Sequence, residues 1–345
     1  MTTTPSHETT ATMAPTGATT MRAVTQRAYG SAEVLSIETI DRPAPADDEV
    51  LIQVVAAGLD RGVWHLMTGL PYLIRLMGYG FAKPKNPVPG ADVAGRVVAV
   101  GHEVTRFAVG DEVFGIASGS FAEYATAKES KLVAKPNRLS FEQAAASTIS
   151  GITALQALTT VGRIKAGQNV LVIGASGGVG SFAVQLAKVL GGTVTGVAST
   201  SKVDAVRSLG ADHVIDYTTT AIDDTGHRYD LIIDTGGRNP LSRIRRALTA
   251  DGTLVIVGGE DGDRLTGGIG RQLRAAVLSL FVKQRLAFFI SAESLDYIEP
   301  LAGHLDDGTI VPSIGQHFTL DQVPDALRAM DAGTLTAKSV IHVQP

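Results

Sequence analysis

Leu171-Val172-Ile173-Gly174-Ala175-Ser176-Gly177-Gly178-Val179-Gly180 runs from an apolar stretch into a glycine-rich turn, and a helix-like segment, Ser181 to Leu190, follows. Five residues, Asn169 to Ile173, form a buried strand that delivers the chain into the turn. Ala175 to Gly180 then match the dinucleotide fingerprint with Ala in the first glycine place. The chemistry needs each part. Gly177 has no side chain, so a pyrophosphate can approach the backbone. Gly180 lets the helix pack close to the strand, and the helix N-terminus offers free N–H groups to the phosphates. Ala175, Ser176, Gly177, Gly178, Val179 and Gly180 are therefore the candidate phosphate-binding residues. A plain turn of an α/β protein would not need this strand–turn–helix context.

Outward from the turn, apolar strands alternate with helices: strand Thr193–Ala198, helix Lys202–Leu209, strand His213–Ile215, strand Tyr229–Asp234, helix Pro240–Leu248 and strand Thr253–Val257. This pattern predicts a doubly wound parallel sheet covered on both faces, in the α/β class. An NAD-specific site carries an acid at the end of the second strand, ~20 residues after the turn. Here that strand ends Val197-Ala198-Ser199-Thr200-Ser201-Lys202, with no acid before Asp204. Hydroxyls and a lysine suit a 2′-phosphate. NADPH is the expected cofactor, with Ser199, Thr200 and Lys202 on its phosphate. Lys202 as a solvated helix-start residue is the plainer alternative.

Towards the N-terminus the texture changes to short β runs with Gly and Pro turns: Val50–Ala56, Asp92–Val100, Gly110–Gly115 and Phe121–Ala125. Such spacing predicts a β-barrel or sandwich. The irregular Gly69–Pro89 stretch is long for a loop and is expected to wrap a cleft. The β pattern returns from Ser313 and ends in Ser339–Val343, which sends the C-terminus back to the first domain. The expected organisation is a disordered tail at 1–20, a β domain at 21–150 and 313–345, and a dinucleotide-binding domain at 151–312. The tail lacks the charge and apolar core of a signal peptide, and Met21 is a candidate natural start.

Composition excludes several classes. The chain of 345 residues has no cysteine, which rules out disulfides, iron–sulfur clusters and cysteine-built zinc sites. A net charge of −4 argues against a nucleic-acid footprint. No segment reaches the ~18 apolar residues of a membrane helix, because Lys283 and Arg285 interrupt Ala275–Ile290. The cytoplasm is the expected location.

Several motifs together resemble one family: Pro89-Gly90-Ala91-Asp92-Val93-Ala94-Gly95, Val109-Gly110-Asp111-Glu112-Val113-Phe114-Gly115, Gly119-Ser120-Phe121-Ala122-Glu123-Tyr124, Gly151-Ile152-Thr153-Ala154-Leu155 and the Ala175–Gly180 turn. With the domain order, they resemble the medium-chain dehydrogenase/reductase superfamily, in its zinc-independent quinone oxidoreductase-like branch, over residues 22 to 345. The resemblance implies a GroES-like barrel beside a Rossmann domain, with the active site between them. It implies no metal. Asp60 stands where zinc members place a Cys, Ala91-Asp92 stands where they place His-Glu, and the cysteine-rich lobe is missing. His102 reads as an exposed turn residue, and Asp60 with His65 makes too few ligands.

The same resemblance implies site residues. Asp60 occupies a place usually held by Asn, near nicotinamide and substrate. It can orient the ligand or supply a proton, or else pair with Arg61. Trp64 and Tyr72 line the cleft or pack in a core. Thr153 approaches the nicotinamide or bonds its own helix backbone. Tyr217 lies against the adenosine. Thr235, Gly236, Val257 and Gly258 end strands and face the cofactor. The helix Arg271–Leu280 and the strand Arg285–Ile290 lie near the cleft and the edge of a homodimer. The implied reaction is hydride transfer from NADPH to a small-molecule quinone or α,β-unsaturated carbonyl. A zinc-dependent alcohol or carbonyl dehydrogenase and a weakly catalytic NADPH-binding sensor are the alternatives.

Overall fold

The computed structural model describes residues 19–258 and 267–344, so most of the stretch read as a tail, and Gly259, lie outside the described residues. β1 (Thr20–Gln26) starts within the expected tail boundary and pairs antiparallel with β2 (Leu35–Asp41). β3 (Glu49–Leu59) is buried at nearly every position, because β4 (Asp92–Val100), β6 (Tyr124–Lys128) and the C-terminal strand all pair with it. Its near-continuous apolar run is the signature of that burial. Between β3 and β4, α1 (Arg61–Thr68) begins at the capping side chain of Asp60 and ends at Gly69, whose φ of 63° is the left-handed stop. β5 (Glu112–Ile116) and β7 (Leu132–Ala134) extend the sheet.

One expected strand shifts. The run read at Phe121–Ala125 becomes a strand only from Tyr124. Phe121 and Ala122 are instead fully buried, and Phe121 is held across its neighbours: its N–H donates to the Pro89 carbonyl at 3.1 Å and its carbonyl accepts the Val24 N–H at 2.9 Å.

Two helices bridge to the second sheet. α2 (Phe141–Ala145) opens with a reciprocal Ser140–Gln143 capping box. α3 (Thr148–Gln156) is buried along almost its whole length, and Gly151 permits its contact with Leu301, where a Cβ would come within 2.6 Å of a leucine methyl.

The second sheet follows from alternating elements: β8 (Asn169–Ile173), α4 (Gly178–Val189), β9 (Thr193–Ala198), α5 (Val203–Ser208), β10 (His213–Asp216), β11 (Tyr229–Asp234), α6 (Leu241–Ala247), β12 (Leu248–Ile256), α7 (Ile269–Ser279), β13 (Arg285–Phe288) and α8 (Leu295–Asp307). All of its pairings are parallel, in the order β10-β9-β8-β11-β12-β13. This is the doubly wound Rossmann order, and the direction of winding reverses beside β8. The chain then returns. β14 (Ile314–Thr319), α9 (Val323–Asp331) and β15 (Lys338–His342) complete the first sheet through β15 against β3.

One apolar core crosses the junction, joining Ala56, Phe114 and Val340 of the first sheet to Val172 and Ile233 of the second and to Phe182 of the helix that covers it. Phe182, on α4, is fully buried there. Phe182→Ala should lower the unfolding free energy by about 3–5 kcal/mol, seen as a lower urea midpoint with an unchanged slope.

Candidate active site

A cleft of about 690 Å³ opens where the two sheets meet, outside the carboxyl ends of β8, β11 and β12. That is where open α/β sheets bind ligands. The barrel side contributes Asp60, His65, Pro71, Ile74, Met77 and Tyr79. α3 contributes Ile149, Ser150 and Thr153. The far wall is Gly177–Val179 with Thr235, Val257 and Gly258, and Lys338 and Ser339 close the junction.

The glycine turn has the form of an anion cradle. A Cβ on Gly180 would fall 2.1 Å from the Gly174 carbonyl, so only glycine lets α4 sit this close to β8. A Cβ on Gly177 would press on the Gly174 carbonyl of its own turn at 3.3 Å and meet nothing else within 4 Å, and Gly177 itself lines the cleft, which leaves room above the turn. Gly177 caps α4 without a side-chain hydrogen bond, so the first N–H groups of the helix face that room with no partner of their own turn. Together these features fit the pyrophosphate of a dinucleotide.

Lys338 and Asp92 form an ion pair of 3.0 Å with both side chains almost completely buried. Asp92 also accepts the Ile149 N–H at 2.8 Å. Burial pushes the Asp92 carboxyl up to about 6, the Lys338 charge opposes the rise and the Asp60 charge adds to it. Asp60 is itself buried. Its Oδ1 accepts the Val63 N–H at 3.2 Å as the α1 cap, while its Oδ2 accepts no hydrogen bond.

The cleft gathers Asp60, Thr153, Gly177, Gly178, Val179, Thr235, Val257 and Gly258 from the expected residues. The Thr153 hydroxyl also donates to the Ile149 carbonyl at 2.6 Å, its own-backbone alternative. Trp64 and Tyr72 stand off the lining. Trp64 packs on the barrel core beneath the Arg61 guanidinium, 4.4 Å from the ring, and Tyr72 is 42% exposed beside Arg75. Helical phase is the reason for the first: His65 takes the cleft face of α1, and Trp64 lies with Val63 and Met67 on the barrel face.

Ala175 is fully buried beneath the turn, and the Ser176 carbonyl accepts the Ala337 N–H at 3.0 Å. Gly236 folds back instead, its N–H donating to the Asp234 carboxylate at 3.2 Å. Ser199, Thr200, Lys202 and Tyr217 lie beyond the cleft at the ends of β9 and β10. Tyr217 is 59% exposed, and Lys202 donates to the Leu335 carbonyl at 3.2 Å. From α7, Ile269 and Gln272 line the cleft, and Arg271 ties that helix to Asp234 at 2.5 Å.

Sequence reasoning missed Lys338 as a site residue and Asp92 as its partner. The available signal was a charge at the first position of an otherwise buried strand, in β15 and in β4 alike. Among the described residues no three His, Asp or Glu side chains converge in a metal-binding set.

Comparison with known proteins agrees with this architecture. Residues 46–137 match the alcohol dehydrogenase GroES-like domain, and residues 209–341 match the zinc-binding dehydrogenase model. The chain is 33% identical to the quinone oxidoreductase of Homo sapiens, over 90% of this chain and 94% of that one. It is 32% identical to the chloroplastic NADPH-dependent alkenal/one oxidoreductase of Arabidopsis thaliana, over 94% and 80%. Among solved structures, the quinone oxidoreductase from Coxiella burnetii superposes with a TM-score of 0.83 at 27% identity, covering 94% of this chain and 100% of that one.

The buried pair sets a pH dependence. Asp92 favours its neutral form more strongly folded than unfolded, so its contribution to stability is complete below the ordinary carboxylate range and is lost as pH rises through about 6. The unfolding free energy of the native chain relative to Asp92→Asn should fall from roughly pH 4 to roughly pH 7 in paired urea titrations. A difference that stays flat would mean that Lys338 keeps Asp92 ionised throughout.

Proposed function

The chain belongs to the medium-chain dehydrogenase/reductase superfamily, in its quinone oxidoreductase-like branch, and on that premise we propose that it is an NADPH-dependent, zinc-independent reductase of quinones or α,β-unsaturated carbonyls. The observation that carries this reading is the continuity of the cleft: the empty space above Gly177 runs without a break to Asp60, Thr153 and Lys338. The turn and the α4 N-terminus would hold the pyrophosphate, and Thr235, Val257 and Gly258 would flank the nicotinamide. When bound, the reduced nicotinamide supplies a hydride. Both acceptor classes take hydride at an electron-poor carbon and gather charge on oxygen, which is then neutralised by a proton. The chain's part is to orient the acceptor and to place polar groups near that oxygen. The Lys338 ammonium, the Asp60 carboxyl and the Arg61 guanidinium are charged groups at that end.

Zinc independence rests on the residues at the two ligand places, Asp60 and Ala91-Asp92. Asp92 is already engaged by Lys338 and by the Ile149 N–H. NADPH is favoured by Ser199, Lys202 and the missing acid on β9, and by the cofactor named for the Arabidopsis relative. A homodimer along β13 fits the sheet edge and the exposed Leu280, Phe281 and Ile290 beside it, 81%, 80% and 77% exposed. No helix among the described residues is long and apolar enough to cross a membrane, and the reading places the enzyme in the cytoplasm.

The test is initial-rate oxidation of NADPH and of NADH with an aromatic quinone and with a simple enone, with and without a chelator. Turnover favouring NADPH and indifferent to chelator is expected. Loss of rate with chelator would return the chain to the zinc alcohol dehydrogenases, and tight NADPH binding without turnover of any acceptor would support the sensor.

A further inference from the structure

The end of β9 carries no acid, yet a carboxylate stands beside it. β10 pairs with β9 in parallel, with Asp216 opposite Ala198. The Tyr217 N–H bonds the Ala198 carbonyl at 3.1 Å and holds the two strand ends level. Asp216 therefore emerges next to Ser199 and Thr200, the residues assigned to the cofactor 2′ position. Its Oδ2 accepts the Thr200 hydroxyl at 2.6 Å, and its Oδ1 accepts the Thr218 hydroxyl at 2.7 Å and the Thr218 N–H at 2.9 Å.

This bonding decides what the threonines can offer. A hydroxyl has one proton and two lone pairs. With both protons directed to Asp216, Thr200 and Thr218 present oxygen lone pairs outward, their oxygens 2.9 Å apart. A ribose 2′-hydroxyl can donate to such an oxygen. A 2′-phosphate, with almost no proton to give, cannot. The bonds from Thr200 and Thr218 hold the Asp216 carboxyl below the usual carboxylate range, so the negative charge is present at neutral pH. Lys202 supplies the opposing charge. One of its three N–H groups goes to the Leu335 carbonyl and leaves others for an anion.

We propose that Asp216 is the specificity-determining residue of the cofactor site: it supplies across the sheet the acid that β9 lacks, favours the 2′-hydroxyl of NADH, and limits the preference for NADPH that Ser199 and Lys202 create. This inference rests on the nicotinamide-cofactor reading but on no acceptor. It is therefore tested by binding, with the intact chain titrated with NADPH and with NADH and followed by nicotinamide fluorescence. Asp216→Asn preserves the shape and the acceptor oxygen for Thr218. It should raise the ratio of NADPH to NADH affinity by about five- to tenfold, with the gain shrinking as salt rises. Asp216→Ser should shift the ratio in the same direction, and Lys202→Ala in the opposite one.

Equal weakening of both cofactors by Asp216→Asn, or an unchanged ratio, would reduce Asp216 to a cap of its own turn and overturn the proposal. Failure of the functional reading looks different: neither quinone nor enone is turned over, while the ratio still moves.

Discussion

Lys338 and Asp92 bury opposite charges 3.0 Å apart at the junction of the two sheets, 246 residues apart in the chain. Such a pair is poor evidence of stability, because removing both charges from water cancels much of their attraction. Its effect is on register. The Lys338 stem runs along the phosphate turn so closely that a Cβ on Gly178 would sit 3.1 Å from it, and the preceding Ala337 donates its N–H to Ser176. On the other side, a Cβ on Gly58 would come within 2.8 Å of Asp92 and 2.3 Å of the Ala145 carbonyl. The pair thus sits beside a position that requires glycine, Gly58, and packs tightly on Gly178, and it places β15 against the barrel and the turn at once. The width of the cleft between them follows from that placement.

The cofactor cradle is made of backbone, and this is why it was legible before any coordinates. Gly177 and Gly180 act through what they lack, so their spacing in the sequence is the site. Strand burial was legible for a similar reason: β3 and β8 read as continuous apolar runs because both of their faces are covered. Asp60 is placed through the family resemblance, and the structure adds its local role as the cap of α1 directly after a buried strand. Thr153 is placed through the same resemblance, by its Gly-Ile-Thr-Ala-Leu motif, and it lines the cleft.

What could not be read is what depends on pairing across distance. Nothing near Lys338 in the sequence points to Asp92, and nothing near Thr200 points to Asp216. Thr200 meets Asp216 because β10 pairs with β9, and Lys338 meets Asp92 across β3, which lies between β15 and β4. Trp64 takes the second of its two readings and packs on the core. The sequence reading places no helix at 61–68, and on α1 one position of phase separates His65 in the cleft from Trp64 in the barrel. Phe121 failed because a buried, hydrogen-bonded segment need not belong to a ladder.

The same side chain type takes opposite states beside this cleft and beyond it, and burial makes the difference. Asp216 is partly exposed and receives two hydroxyls, so its charge is kept, and the proposed 2′ position lies beside it. Asp92 is sealed from water, so desolvation works against its charge, and only the Lys338 ammonium and the Ile149 N–H sustain it. Asp60 stands close enough to add to that strain, one oxygen capping a helix and the other unbonded at the cleft wall. A carboxylate held ionised discriminates between anionic and neutral partners. A carboxyl held near the boundary between its two forms, beside a cation, responds to any charge that develops next to it. On the proposed reading, the chain would read charge in its partner at the Asp216 end and answer a change of charge beside Asp60 and Asp92.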